Sequence, residues 1–262
     1  MKKFHLLSGL PRSGSTLLSS IFQQNPMTHA TPNSLLVGLL YETYICFQKE
    51  EQAKAFKVDH QLENSLYFLA NGFYAHVDKP IIIDKSRGWP ASYDLAKLSF
   101  RNKPKMIATV RSLPDILASF DTLAENNVNN YIDQQLIKRH KMINTETRCE
   151  FLVESGGTLF ESWKSLKVGY DNFRNDIHFV EYDNLMIDPQ GEMNKIYDFL
   201  DLPRYNHDFD NIINHTPEDD NVYGIEGMHS VRKVLSKSTN TSIDILGHDL
   251  YNRYIGGEFW RQ

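Results

Sequence analysis

Gly9 and Gly14 stand five residues apart, with Arg12 between them and Ser15 and Thr16 directly after. Glycines at these positions let a backbone approach an anion closely. Hydroxyl residues opening a helix would add free N–H groups and the positive end of a helix dipole. The chemistry such a loop suits is phosphate binding. Its spacing matches the nucleotide-binding pattern G-x-x-x-x-G-K-[S/T] at every named position but one, because Ser15 stands where that pattern has lysine. Nucleotide triphosphatases use that lysine on the β- and γ-phosphates and the next hydroxyl on magnesium. Here the loop's cation is Arg12, and Lys85 and Arg87 follow an apolar run that ends at Asp84. Backbone N–H groups, Ser13, Ser15 and Thr16 can still hold a phosphate. A metal-bridged triphosphate fits less well, since Lys85 would oppose a magnesium ion at Asp84.

These groups act together only if the chain carries them to one place. Residues 4 to 8 read as a short buried strand, and 15 to 24 as a helix with Leu17, Leu18, Ile21 and Phe22 on one face, closed at Asn25-Pro26. Strand, glycine loop and helix in that order is the context the motif requires. Residues 80 to 84 form a second buried strand, which delivers Asp84, Lys85 and Arg87. Residues 105 to 110 form a third, from which Arg111 emerges before a helix that opens near Pro114 and carries Ser119. Residues 176 to 182 alternate as a fourth, ending at Tyr182. The C-terminal ends of parallel strands face a common ligand crevice. Helical patterns over 35 to 47, 62 to 77, 159 to 170, 189 to 200 and 243 to 255 interleave with the strands. Residues 27 to 34 read as polar and irregular, and 122 to 150 as a helical insertion or lid. The class is α/β, a P-loop NTPase-like fold with a central, mainly parallel sheet flanked by helices, in a single domain over 1–262.

The net charge of −5 leaves no overall positive field for nucleic acid, and an aromatic share of 12% fits an ordered globular chain. Cys46 and Cys149 lie far apart in unlike contexts, which supports neither a disulfide framework nor a metal site. The first apolar run enters the glycine loop too soon for a signal peptide, and none reaches about 18 residues. A soluble, cytoplasmic protein with no membrane or nucleic-acid partner and no metal requirement is expected; the oligomeric state is not encoded in any pattern.

Leu10-Pro-Arg-Ser-Gly-Ser-Thr-Leu-Leu18 resembles the 5′-phosphosulfate loop of the sulfotransferase superfamily, which shares the P-loop α/β fold and binds 3′-phosphoadenosine 5′-phosphosulfate (PAPS). Val110-Arg-Ser-Leu-Pro-Asp-Ile-Leu-Ala-Ser-Phe120 resembles its 3′-phosphate motif, an arginine and a serine eight residues later, here Arg111 and Ser119. Val180-Glu-Tyr-Asp-Asn-Leu185, Asp188-Pro189 and Phe199-Leu-Asp-Leu-Pro203 are similar to a Tyr-Glu-Asp-Leu…Asp-Pro…Phe-Leu-Gly-Leu run of these enzymes, a match that places Tyr182 near the nucleotide. The likeness is to the bacterial and tyrosylprotein-sulfotransferase-like branch. The cytosolic branch has lysine where this chain has Arg12. His229 to Ser238 resembles the loop that covers the nucleotide, which places Lys237 and Ser238 at the donor phosphates.

The resemblance implies PAPS as co-substrate, held by Pro11, Arg12, Ser13, Gly14, Ser15, Thr16, Arg111, Ser119, Tyr182, Lys237 and Ser238. It implies in-line sulfuryl transfer to a hydroxyl or amine of a small-molecule, carbohydrate or peptide acceptor. Arg12 and Lys85 would act as catalytic cations on the oxygen that leaves toward the 5′-phosphate. Deprotonating the acceptor asks for a general base. In the tyrosylprotein branch this is a glutamate shortly after the first helix; the corresponding residues here, about 32 to 34, are Pro-Asn-Ser. By position, His29, Asp84 and Glu42 are the candidates. Two other classes stay open: a P-loop nucleotide kinase or NTPase, against which Ser15 speaks, and a non-catalytic PAPS- or phosphate-binding protein. Outside the motifs, Glu218-Asp219-Asp220 reads as a solvated turn and His229 as a lone histidine with a structural partner.

Overall fold

The computed structural model describes residues 2–56, 59–235 and 241–262. Its apolar runs form strands β1 (Lys3–Gly9), β2 (Thr28–Ala30), β3 (Ile81–Lys85), β4 (Met106–Val110) and β5 (Ile177–Glu181). They stand in the order β2-β3-β1-β4-β5, and every pairing is parallel. Strands of such a sheet are covered on both faces, which is why β1 and β4 read as nearly unbroken apolar runs. Successive residues still point to opposite sides. Leu6 belongs to one apolar cluster and Leu7 to another.

The helices are α1 (Ser15–Gln23), α2 (Leu36–Lys49), α3 (Glu51–Phe56), α4 (Asp59–Phe73), α5 (Tyr93–Ser99), α6 (Leu113–Glu125), α7 (Tyr131–Lys138), α8 (Thr145–Val153), α9 (Thr158–Phe173), α10 (Tyr182–Ile187), α11 (Pro189–Leu200) and α12 (Ser242–Tyr254). The Leu6 cluster takes Leu40 of α2, Leu66 of α4 and Leu166 of α9; the Leu7 cluster takes Ile21 of α1 and Ile196 of α11. Their local chemistry sets where they begin. Ser112 caps α6 by accepting from the Asp115 N–H at 3.3 Å, with Pro114 in the first turn. Asp188 caps α11 in the same way through Gly191 at 3.0 Å, with Pro189 at the first helical position.

Three sequence expectations change. Residues 27 to 34 contain β2, an edge strand of three residues, too short to display a period. Tyr182 does not end the fourth strand in sequence order but opens α10. The last helix breaks at Gly247, whose φ of 74° and ψ of 164° leave the helical region. In the 122 to 150 segment, α7 and α8 are tied to α6 by Arg148, which reaches Asp133 at 2.7 Å and Asp121 at 3.1 Å in a nearly water-free setting. Among the described residues no helix is long and apolar enough to cross a membrane.

Candidate active site

The loop after β1 owes its path to close approach. A Cβ at Gly9 would stand 2.1 Å from Thr109 Oγ1 and 2.6 Å from Thr109 O, so only glycine lets the loop leave this close to β4. The Leu10 N–H donates to Thr109 O at 3.0 Å, and buried Ser13 places its hydroxyl 2.6 Å from Leu10 O and 2.7 Å from Thr109 Oγ1. Two left-handed residues then turn the chain, Arg12 with φ 58° and Gly14 with φ 90°. Such a conformation costs a non-glycine residue about 1–2 kcal/mol, so Arg12 is held there by its surroundings. No side chain caps α1 at Gly14, which leaves its first-turn N–H groups for a ligand.

These N–H groups face a cavity of about 530 Å3. Arg12, Gly14, Ser15, Thr16, Lys85, Arg87, Arg111, Ser119 and Tyr182 line it, and residues 228 to 235 with the start of α12 form its other wall. Arg12 Nε donates to Ser119 Oγ at 3.1 Å, and a terminal N–H of the same guanidinium donates to the Met228 carbonyl. Arg111 donates to Arg12 O at 3.4 Å, and its guanidinium lies 4.6 Å from the centroid of the Tyr182 ring. Its Nε is buried with no partner among the described residues. Lys85 Nζ donates to Thr16 Oγ1 at 3.1 Å.

Burial governs the electrostatics. It pulls Lys85 down to about 7, with the Arg87 guanidinium adding to the drop and the Glu218 carboxylate opposing it. Burial also lowers Arg12, helped by Arg111, and lowers Arg87, opposed by Glu218 and Tyr223. Among the described residues, none of Arg12, Lys85, Arg87 and Arg111 is ion-paired with a carboxylate. Desolvated cations not held in ion pairs favour a ligand carrying several negative groups.

Other expected site residues lie elsewhere. Pro11 and Ser13 are buried within the loop, and the Ser13 hydroxyl braces it against β4. Half-buried His29 sits edge-on to the Tyr74 ring at 5.8 Å and does not line the cavity. Asp84 is fully buried, with Oδ1 accepting from Trp89 Nε1 at 2.7 Å and Oδ2 from the Tyr74 hydroxyl; burial pushes its carboxyl up. Glu42 is exposed on α2. Lys237 and Ser238 fall outside the described residues.

The acidic run is not the solvated turn its sequence suggests, whereas His229 has the structural partner expected of it, in Asp220. His229 lines the cavity with Nδ1 2.6 Å from Asp220 Oδ1, and its backbone N–H donates to Asp220 Oδ2 at 3.0 Å. Glu218 Oε2 accepts from Asn33 Nδ2 at 2.6 Å and from the Tyr223 hydroxyl at 2.7 Å, whereas its Oε1 is buried without a partner among the described residues. These partners meet in an irregular segment or across 185 positions of sequence, so no period or spacing announces them.

A family model described as "Sulfotransferase family" matches residues 6–207. Comparison with curated proteins finds no match. Among solved structures, the sulfotransferase domain from the curacin biosynthetic pathway is 16% identical with a TM-score of 0.48, covering 100% of this chain and 86% of that one. Mouse sulfotransferase SULT7A1 complexed with PAP is 15% identical with a TM-score of 0.48, covering 79% and 61%. A sulfotransferase from Alicyclobacillus acidocaldarius is 12% identical with a TM-score of 0.47, covering 85% and 88%. With the family model spanning most of its length, from within β1 to just beyond α11, the chain belongs to the sulfotransferase family, and its reaction is sulfuryl transfer.

Proposed function

We propose that the cavity binds PAPS and that the enzyme transfers its sulfuryl group in line to a hydroxyl or amine of a small-molecule, carbohydrate or peptide acceptor. One observation carries this reading: Arg12, Lys85, Arg87 and Arg111 converge, without ion pairs among the described residues, on one cavity at the uncapped start of α1. A donor with a phosphosulfate at one end and a phosphate at the other supplies anions to the whole row. The orphaned Nε of Arg111 fits this assignment, since a phosphate oxygen would satisfy it.

The first-turn N–H groups of α1 with the Ser15 and Thr16 hydroxyls hold the 5′-phosphosulfate, and Arg111 with Ser119 holds the 3′-phosphate. Tyr182 beneath the Arg111 guanidinium fixes its plane. PAPS supplies the activated sulfuryl group. Lys85 and Arg12 are the catalytic cations, fixed by Thr16 and by Ser119 and Met228, so little reorganisation is needed as charge develops on the leaving oxygen. Lys85 stays charged when a polyanion lies beside it, because a nearby negative group favours the ammonium form. Donor binding requires no metal, because these side chains themselves neutralise the phosphates.

Calorimetric titration of 3′,5′-adenosine diphosphate with a chelator present, together with labelled PAPS and fractionated acceptors, tests the proposal. Saturable binding unaffected by the chelator and label transfer to one fraction are expected. Dependence of binding on magnesium, or preference for ATP over 3′,5′-adenosine diphosphate, would overturn it.

A further inference from the structure

An acceptor hydroxyl must lose its proton, yet His29, Asp84 and Glu42 all lie outside the cavity lining. His229 lies within it. The segment between α11 and α12 carries it there, and the carbonyl of the residue before it, Met228, accepts from the guanidinium of Arg12. One peptide unit therefore joins the imidazole to the cation assigned to the leaving oxygen. The ring is held from its other side. Nδ1 stands 2.6 Å from Asp220 Oδ1, the His229 backbone N–H donates to Asp220 Oδ2 at 3.0 Å, and the Tyr223 ring packs against the imidazole at 5.0 Å. Glu218 Oε2 lies 3.9 Å from the same ring nitrogen. None of Asp220, Glu218 and Tyr223 lines the cavity, so the Nδ1 edge of the ring is turned away from it and the Nε2 edge toward it. Among the described residues Nε2 has no hydrogen-bond partner, and it is not one of the buried atoms left unpaired.

From this geometry we infer that His229 is the general base of the reaction, with Asp220 as its positioning residue. The inference rests on the donor reading given above. A carboxylate that accepts from Nδ1–H leaves the Nε2 lone pair as the proton acceptor and steadies the imidazolium that forms. The acceptor O–H proton passes to Nε2, and the electron pair of that O–H bond forms the new O–S bond. The S–O bond to the 5′-phosphate breaks as this forms, with its electron pair staying on that phosphate. The products are a sulfate ester, 3′,5′-adenosine diphosphate and a protonated His229, which returns its proton to water.

The test compares wild type with His229→Asn and Asp220→Asn, using labelled PAPS with phenol or 4-nitrophenol as probe acceptors near pH ~8, where only the latter is largely ionised. His229→Asn keeps an amide donor for Asp220 but removes the ring nitrogen that faces the cavity. In Asp220→Asn the amide oxygen takes the His229 backbone N–H and the amino group faces Nδ1, which moves the ring proton to Nε2 and blocks acceptance. Both variants should lower transfer to phenol by roughly 10²-fold or more, and transfer to 4-nitrophenol by less than about tenfold, because an ionised acceptor needs no base. Affinity for 3′,5′-adenosine diphosphate, read by calorimetry, should change less than about threefold, since the interaction lost is made in the transition state. Nitrogen-15 NMR of histidine-labelled wild type bound to 3′,5′-adenosine diphosphate reads the tautomer without turnover, and a proton on Nδ1 with none on Nε2 is expected. Equal losses with both phenols, a parallel loss of nucleotide affinity, or a resident proton on Nε2 in wild type would overturn the base and leave the donor reading standing. Failure of wild type to bind 3′,5′-adenosine diphosphate would overturn the donor reading and the base with it.

Discussion

Arg12 Nε donates to Ser119 Oγ at 3.1 Å, so the loop after β1 and the helix after β4 share a hydrogen bond although 107 residues separate the two partners. The bond has a functional consequence if Ser119 also serves the 3′-phosphate, because one hydroxyl then links the cation of the first loop to the far end of the donor. Ser119→Ala is expected to weaken 3′,5′-adenosine diphosphate about 10- to 100-fold, the worth of a hydrogen bond to a charged group. Adenosine 5′-monophosphate should lose less than about threefold, reflecting only the looser Arg12. Calorimetric titration of both ligands checks this.

Arg111 makes the sharper test of the same end. It stacks on Tyr182 and, among the described residues, reaches only a backbone oxygen and keeps a buried Nε without a partner. Arg111→Ala should cost 3′,5′-adenosine diphosphate about 100-fold or more and adenosine 5′-monophosphate under about tenfold, in line with about 2–5 kcal/mol for truncating one partner of a desolvated charge pair. Equal losses for the two ligands would remove the 3′-phosphate from Arg111.

Much of this arrangement is legible in the residues, for reasons that differ from part to part. Gly9 and Gly14 mark themselves because no other residue tolerates their backbone or their neighbours, and β1, β3 and β4 because both faces are buried. Tyr182 misleads because it continues the alternation of β5, yet the chain turns helical there and its ring edge fills the space that Gly14 leaves open. Asp84 misleads for the opposite reason: a carboxylate at a strand end looks available, but its two oxygens are consumed by Tyr74 and Trp89. The placement of Glu218 and Asp220 is illegible because it arises from hydrogen bonds in a stretch with no regular structure beyond one short turn of helix, Asp220–Tyr223. Local pattern registers period and punctuation, not contacts of that kind.

Gly14 joins the loop to Tyr182 sterically. A Cβ there would stand 2.8 Å from Tyr182 Cδ2, and the left-handed φ of 90° disfavours any side chain. Gly14→Ala is expected to destabilise the fold by about 1–2 kcal/mol through backbone conformation alone. Displacing the ring should also disturb Arg111, so 3′,5′-adenosine diphosphate affinity should fall more than stability does. Urea unfolding and calorimetry on the same variant separate the two effects. Full affinity in a destabilised Gly14→Ala would mean that Tyr182 does not set the position of Arg111.

Lys85 couples the site to pH. Its ordinary value of 10.5 falls to about 7 in the folded, ligand-free protein because burial disfavours the charge. Between about 7 and 10.5 the unfolded chain therefore holds more protons on this residue than the folded one, and the stability of the free protein should rise with pH across that window. Donor phosphates reverse the balance by favouring the ammonium form, so binding takes up a proton above about 7. Affinity for 3′,5′-adenosine diphosphate should be greatest below that value and fall by up to about tenfold per pH unit above it. The phosphate's own second ionisation, near 6, is essentially complete in this range and does not mask the effect. Lys85→Met should flatten the profile and abolish the proton uptake, which titration in buffers of unlike ionisation enthalpy reads directly. The same substitution should lower turnover about 10²–10³-fold while costing ligand affinity only about tenfold at neutral pH, because the charge on the leaving oxygen is larger in the transition state than in the ground state. A wild-type affinity that is flat from about pH 7 to pH 9, or unchanged turnover in Lys85→Met, would remove Lys85 from the catalytic set.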